Sequence, residues 1–522
     1  MKQALGGQKA RNQVTDIERS VTAPIGGLNS RDPLAAMKPQ DALILDNLIC
    51  RPSSIEVRKG MANFVTGFAE TEKVWGLLPY RASPVDKLFA TTDLGIYNAT
   101  TAGVVGVKVA NSTNGRWESI NGANAGIRFL LAVNGADPMK LYNGTVWSDA
   151  AVTYMLGGVS TVYNTALFTN IAQFKFRVFF TEKNTLSFWY LAVNAVQGLA
   201  TEFPLAPLFK LGGSLLAIGN WTLDGGNGPD DYCAFITTEG ELAVYKGTDP
   251  ANAATWGLVG VYALPRPIGR KCFFKLGGDL IIITESGLVK MTSVLSAVDE
   301  RLASISDKII GALSDAARKY KTNFGWSLTL LSAEDILILN VPTIEGSASQ
   351  QFVMNTLTGA WSMFKQMNSF CFIELGGRLF MGTTNRVINA LYGQSDYGNN
   401  ITIRAQTAYN NFGQPLASKH IKLLRQNYRT SKEVSVRLAI SENFQQTFTS
   451  TPNTPIPSNL STFDTSLWNG AFWTEEDYIV SAWRTVAHKS GYQLSLLMVI
   501  SDVNYTFEWN STDFLIEKGI GF

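Results

Sequence analysis

Short apolar runs alternate with turns of Gly, Asp, Asn or Thr through the middle of the chain. Two apolar runs around a turn are typical of a β-hairpin. Successive hairpin patterns begin 41–56 residues apart, which is the spacing of β-propeller blades. The pattern predicts a mainly β fold with a β-propeller over residues 71–399, and two stacked sandwiches are the alternative. The seven patterns begin at Lys87, Arg128, Arg177, Cys233, Asp279, Asp335 and Arg378.

Three copies of a short phrase, LGG, each follow shortly after a phenylalanine. The copies begin at Leu211, Leu276 and Leu375. Two glycines allow the chain to turn tightly between strands, because glycine tolerates positive φ. We therefore expect the phrase to mark the entry into the inner strand of successive blades.

Residues 293–321 break the β pattern with apolar residues three and four apart, which predicts a helical insert. Ser304 and Asp307 have the spacing of a capping box, so two helices joined near Ser304 are as compatible as one. The insert could pack on the propeller or contact a neighbouring subunit. Its apolar positions are Leu295, Val298, Leu302, Ile305, Ile309, Leu313, Ala316 and Tyr320.

Strict alternation returns after residue 400 and predicts a C-terminal β-sandwich or barrel-like domain over 400–522. The apolar positions are Val434, Val436, Leu438, Ile440, Leu494, Leu496, Met498 and Ile500. An extended loop, 446–477, interrupts this domain, because closely spaced prolines oppose strand pairing. It carries Phe463, Trp468, Phe472 and Trp473, which could fold back onto the domain or contact a partner.

The start of the chain divides into an N-terminal arm, 1–22, and a strand segment, 23–70. A propeller commonly closes its ring by pairing a strand from one end of the chain with the last blade. We expect the 23–70 segment to close onto the propeller or to join a platform beside it.

The nearly balanced charge gives no indication of nucleic-acid binding from composition alone. Lys and Arg total 44 against 42 Asp and Glu, and charged residues make up only 16% of the chain. This composition suits a turn-rich β protein that buries surface in an assembly. No run of 18 apolar residues occurs, so we expect no membrane-spanning segment. The four cysteines have apolar neighbours and are expected to be buried, reduced thiols.

Motifs for catalysis or metal binding are missing from the sequence. The two histidines, His420 and His488, have no nucleophile elbow and no Cys-x-x-Cys pair to accompany them. Carboxylates are scattered through turns. The sequence therefore predicts a protein that is not an enzyme and has no catalytic residue, metal ligand or cofactor.

Two stretches, 23–60 and 245–291, resemble the tail hub or nozzle proteins of short-tailed bacteriophages, which are structural proteins with a β-propeller core. The first pattern contains Gly27, Asn29, Arg31, Asp32, Met37, Asp46, Asn47, Arg58 and Gly60. The second contains Gly247, Thr248, Asp249, Pro250, Trp256, Gly277 and Gly278.

The resemblance implies a virion protein that assembles in the host cytoplasm into a homohexameric ring. Such a ring would continue the tail below the portal and adaptor, contact tail fibres or a spike, and conduct DNA without sequence specificity during genome retention and ejection. Subunit or partner contacts are then expected at Lys308, Arg318, Lys319, Lys321, Phe463, Trp468, Phe472 and Trp473. The alternative is a glycan-binding or glycoside-processing propeller, such as a receptor-binding tail protein.

Overall fold

The structure is a computed structural model that describes residues 16–124, 126–224, 229–296, 304–445, 478–485 and 489–518. It is mainly β, with 55% strand and 6% helix. The chain divides into two compact units, of which one is Lys59–Tyr397 and the other combines Met1–Arg58 with Gly398–Phe522.

The Lys59–Tyr397 unit is a β-propeller, as the hairpin spacing predicts, and it contains six blades of four or more strands. We number the blades 1 to 6 and give the strands of each from the inner strand outward. Blade 1 has Gly76–Tyr80, Lys87–Thr91, Gly95–Asn98 and Lys108–Asn111; blade 2 has Glu118–Asn124, Ile127–Val133, Lys140–Tyr142 and Trp147–Asp149. Blade 3 has Phe168–Phe174, Arg177–Glu182, Ser187–Leu191 and Gly198–Pro204; blade 4 has Leu215–Asp224, Pro229–Thr237, Glu241–Gly247 and Trp256–Ala263. Blade 5 has Ser327–Leu331, Ile336–Ile344, Ala348–Asn355 and Trp361–Phe364; blade 6 has Cys371–Leu375, Arg378–Thr383, Arg386–Ala390 and Met61–Thr66.

Two of the blades carry extra strands on their outer side. Val152–Leu156 and Val159–Val162 form a hairpin beyond the outer strand of blade 3. Gly103–Val104 pairs in parallel with the outer strand of blade 6.

A three-stranded sheet lies in the ring between blades 4 and 5, and its strands are Phe273–Leu276, Asp279–Thr284 and Gly287–Lys290. The predicted insert follows it as helix α1, Met291–Leu295, a 3₁₀ turn, Asp307–Ile309, and helix α2, Ile310–Tyr320. Ser304, which precedes the 3₁₀ turn, forms a single antiparallel β-bridge with Val289 of this sheet.

The capping box predicted at Ser304 does not form. The Ser304 hydroxyl bonds instead to the Leu288 carbonyl and to Ser306 Oγ, and no side chain caps α2. Ile309, Leu313 and Ala316 of the predicted apolar face are buried, and α2 contacts blade 5 and the three-stranded sheet. The described part of the insert therefore packs on the propeller.

The LGG phrases do not all mark entry into an inner strand. Only the copy at Leu211 leads into one, Leu215–Asp224. The copies at Leu276 and Leu375 form the turns between the inner and second strands of their sheets. Gly277 and Gly376 have φ values of 61° and 60°, so these glycines allow tight turns, as expected. The turns connect the inner strand to the second strand and do not lead into an inner strand.

The ring closes where Met61–Thr66 pairs antiparallel with Arg386–Ala390 of blade 6. Val65 is fully buried there and packs with Val74 and Val387. The segment before residue 59 belongs to the other unit, so the boundary falls inside the expected 23–70 segment.

Apolar side chains between neighbouring blades form the propeller core. On the second strand of blade 3, Val178 and Phe180 pack in a cluster with blade 2, whereas Phe179 packs in a cluster with blade 4. This alternation follows from the pleat, which sends successive side chains to opposite faces.

The second unit is a β-sandwich built from both ends of the chain. Asp16–Thr22, part of the predicted arm, pairs with Phe507–Lys518. The predicted apolar positions of the 433–441 and 494–500 strands are buried, and Phe412 contacts Phe514 in the core. One sheet contains Asp16–Thr22, Leu48–Cys50, Ile55–Val57, Lys419–Thr430, Tyr478–Arg484, Ser490–Gly491 and Phe507–Lys518; the other contains Gly27–Leu28, Asp41–Asp46, Ile401–Thr407, Arg437–Glu442 and Leu494–Asp502.

Candidate functional site

A central cavity of about 500 Å³ runs along the inner strands of the propeller. Its walls are rich in aromatic groups, namely Trp75, Trp117, Phe273, Phe324, Trp326 and Phe370.

Arg270 joins three segments around this cavity. Its guanidinium donates to the carbonyls of Asn134 and Thr169 at 3.2 Å and to that of Arg116 at 3.1 Å. Burial lowers the pKa of Arg270, and the Glu118 carboxylate opposes that shift. Arginine keeps its charge at neutral pH despite such a shift. The charged Arg270 side chain therefore connects the segment before the three-stranded sheet to blades 2 and 3.

A second arginine of the propeller, Arg116, connects residues of blades 1, 2 and 5. Its guanidinium pairs with Glu345 and lies 4.7 Å from the Phe324 ring centroid and 5.2 Å from that of Trp75. The Glu345 carboxylate also accepts from the Phe324 backbone N–H at 2.8 Å. Ion pairing and cation–π contact together hold this arginine in one position.

Two carboxylates line the cavity. Glu374 accepts from Arg81 at 3.3 Å and from the Gly377 backbone N–H at 2.8 Å. Glu118 Oε1 is buried and has no hydrogen-bond partner within the described residues. Sequence reasoning missed Glu118 because its carboxylate stands alone in the sequence.

The predicted basic contacts lie on the insert. Lys308 is half-buried on the 3₁₀ turn, and Arg318, Lys319 and Lys321 are exposed at the C-terminal end of α2. Arg318 pairs with Asp315, and Lys321 Nζ lies 2.9 Å from Glu285 Oε1. Basic residues in a last helical turn also stabilise the helix dipole, so their position fits a structural role as well as a partner contact. The predicted aromatic contacts, Phe463, Trp468, Phe472 and Trp473, lie outside the described residues.

The four cysteines are free and buried, as predicted. Burial raises the pKa of Cys371 to about 11, although Lys271 and a backbone hydrogen bond with Gly382 oppose the shift. Burial likewise raises the pKa of Cys233 and Cys272. Since the thiolate is the reactive form, these thiols are unreactive near neutral pH.

The described residues contain few other candidate sites. Among the described residues, no group of three His, Cys, Asp or Glu side chains could hold a metal ion. The part of the chain that the structure describes contains no helix long and apolar enough to span a membrane. His420 Nδ1 lies 2.9 Å from Ser490 Oγ on the exposed surface, and His488 lies outside the described residues.

Comparisons with known proteins do not place the chain in a family. No family model and no curated protein matches it. One of the solved structures it resembles is a glycoside hydrolase family 43 arabinoxylan arabinofuranohydrolase from Bacillus subtilis, determined with cellotetraose. The match covers 88% of this chain and 96% of the hydrolase at 9% identity, with a TM-score of 0.25, a score too low to carry an argument about activity.

Proposed function

We propose that the chain is a structural protein of the tail of a short-tailed bacteriophage, a nozzle or hub that assembles into a hexameric ring around the path of the viral DNA. The proposal rests on the resemblance of residues 23–60 and 245–291 to such proteins. One structural observation supports this resemblance: residues of both patterns occupy positions that the fold requires.

Residues of the first pattern stabilise a buried turn and the start of a strand. Asn29 Nδ2 donates to Asp32 at 2.9 Å and to buried Asp41 at 2.8 Å. Asn47 has a φ of 58° and accepts from the Nε of fully buried Arg58 at 3.0 Å. A buried charged group needs such a partner, so these residues are tied to the sandwich and not to a surface site.

The second pattern shapes the loop before the outer strand of blade 4. Gly247 has a φ of 137°, and a Cβ there would lie 1.9 Å from the Thr255 carbonyl oxygen, so only glycine fits. Asp249 pairs with Arg177 at 3.1 Å, and Trp256 stacks on Tyr245 with centroids 5.2 Å apart. Residues that a fold requires are those expected to recur among proteins that share it, which supports the resemblance at the level of architecture.

The purified protein is expected to form a ring. Light scattering after size exclusion should give a mass of about 340 kDa, six times the 57.0 kDa of one chain, and negative-stain images should show a ring with a central hole. A particle without a hole, or a monomer that stays monomeric when mixed with adaptor and portal proteins, would contradict the proposal.

Charge reversal on the insert should weaken assembly if the basic residues contact a neighbour. We expect the Lys308→Glu, Arg318→Glu, Lys319→Glu and Lys321→Glu variant to lose ring formation while its thermal midpoint changes little, since three of the four residues are exposed. The control is Lys38→Glu, an exposed lysine of the sandwich unit. Intact ring formation by the fourfold variant would remove the insert from the proposed interface.

A glycan-binding or glycoside-processing propeller is the second candidate, and the cavity favours it. Aromatic residues and the carboxylates of Glu118 and Glu374 line the cavity, and mostly apolar walls with a few polar groups are typical of small-ligand sites. A glycan array would test it. Binding that is lost on Glu118→Gln, by a protein that forms no ring, would favour this candidate over the tail protein.

A further inference from the structure

The outer side of blade 3 carries a hairpin that a four-stranded blade does not need. We call Val152–Leu156, Val159–Val162 and the Gly157–Gly158 turn between them the outer hairpin. Only Val152 and Thr153 pair with the blade, opposite Gly198 and Leu199. Val152 and Tyr154 anchor the base in the core between blades 2 and 3, while the tip extends beyond the blade.

Apolar side chains on this hairpin are left in water. Met155, Leu156, Val159, Val162 and the adjacent Leu199 are 51–77% exposed. Opposite residues of a hairpin share a face, and the register places Leu156 and Val159 on one face and Met155 and Val162 on the other. Both faces of the outer hairpin therefore expose apolar side chains to solvent.

The hairpin also lacks the protection found at other outer edges of this propeller. Natural sheets protect edges with charges, covering segments or bulges. Blade 1 has Lys108 in its outer strand, blade 2 has Asp149, and Gly103–Val104 covers blade 6. No charged residue occurs between Asp149 and Lys175, so the free edge of Val159–Val162 carries no charge.

A second uncharged edge lies on blade 4. Its outer strand, Trp256–Ala263, contains no charged residue, and Leu258, Val259 and Val261 are 40–44% exposed. A bulge leaves Val259 unpaired, so the regular ladder with the third strand resumes at Gly260 and runs to Ala263. That segment has the same length as Val159–Val162, and each strand has one free edge.

We propose that Val159–Val162 of one copy of this chain pairs with Gly260–Ala263 of a second copy. Pairing these two edges brings no charge into the contact, whereas pairing with blade 1 or blade 2 would desolvate Lys108 or Asp149. Both edges remain exposed in the single chain, so neither one covers the other. Two different surfaces meeting in this way form a heterologous contact, which repeats from copy to copy and gives a ring when the rotation between copies closes. This inference rests on the proposed function in that it supplies the contact for the proposed ring.

A lysine on the hairpin edge is the first test. Val162→Lys should raise the concentration needed for half-association at least 10-fold in light scattering, because the contact would bury an unpaired charge. Val107→Lys is the matched control, since Val107 is 76% exposed against 77% for Val162 and lies outside the proposed edge. Both variants should keep the thermal midpoint of the unmodified protein. Equal association of Val162→Lys and the unmodified protein would overturn the inference, as would an unmodified protein that is monomeric at about 100 μM, well above the dissociation constants of stable complexes.

Cross-linking tests which edges meet. The native cysteines are buried, so cysteines introduced as Val162→Cys and Val261→Cys would react selectively with a short bismaleimide. A mixture of the two single variants should give a cross-linked dimer that neither variant gives alone. A dimer from Val162→Cys alone would show that two hairpins meet and would overturn the inference, as would the absence of any dimer. If the unmodified protein forms a filament or a dimer and Val162→Lys dissociates it, the result would support the proposed contact and contradict the hexameric ring. A hexamer that forms equally well with Val162→Lys would support the ring and contradict the contact.

Discussion

Replacing Arg270 with methionine should lower the free energy of unfolding of the propeller by about 3 kcal/mol. The three hydrogen bonds from its guanidinium reach the carbonyls of Asn134, Thr169 and Arg116. A hydrogen bond to a charged group contributes roughly 1.5–3 kcal/mol, and the desolvation of one charge costs several kcal/mol. We expect the loss of the bonds to exceed the relief of desolvation, because methionine donates to none of the three carbonyls.

Urea unfolding followed by tryptophan fluorescence would measure this loss, since Trp75, Trp117 and Trp326 line the cavity beside Arg270. Arg270→Lys is the control, because lysine keeps the charge but cannot present the same fork of donors, and it should retain part of the stability. Arg318→Met removes an exposed arginine and should change little. If Arg270→Met were as stable as the unmodified protein, the cost of desolvating the Arg270 charge would cancel the gain from its hydrogen bonds. Arg270 would then contribute no net stability to the propeller.

The propeller could be predicted because its strongest signals are local. Each predicted hairpin joins two strands through a short turn, and alternation with turn residues is visible within about 15 residues. The hairpin starting at Arg177 is an example, where Val178 and Phe180 face one neighbour and Phe179 the other. The outer hairpin was missed although VTYMLGGVSTV has the same pattern around Gly-Gly, because its spacing falls outside the blade repeat.

Long-range pairings could not be predicted in the same way. The strand Asp16–Thr22 pairs with Phe507–Lys518 at the other end of the chain, and no local pattern indicates that partner. Arg116, Glu118 and Arg270 meet at the cavity only because the ring brings distant segments together. A single arginine or glutamate in a strand-rich sequence normally predicts a solvated position. The sequence around these polar residues therefore does not indicate that they line a cavity.

Placing a carboxylate at the ring closure should have the largest effect on stability. Val65 is fully buried in the strand that closes blade 6 and lies opposite Val387. Val65→Asp would bury an unpaired charge and remove an apolar side chain, so we expect a loss of about 4–5 kcal/mol, at the upper end for single substitutions. The effect should concentrate in Met61–Thr66 and Arg386–Ala390, whose amides should exchange hydrogen faster than those of blade 3.

Two substitutions separate charge burial from strand disruption. Val65→Ala should cost about 2 kcal/mol, the scale for a small cavity in a core. Asn63→Asp places the same carboxylate on the exposed side of the same strand, near Arg386, and should change stability by less than about 0.5 kcal/mol. If Val65→Asp resembled Asn63→Asp in both midpoint and exchange, the first strand would contribute little to the propeller. A selective loss at blade 6 would instead show that the ring depends on a strand about 320 residues away in sequence from its partner.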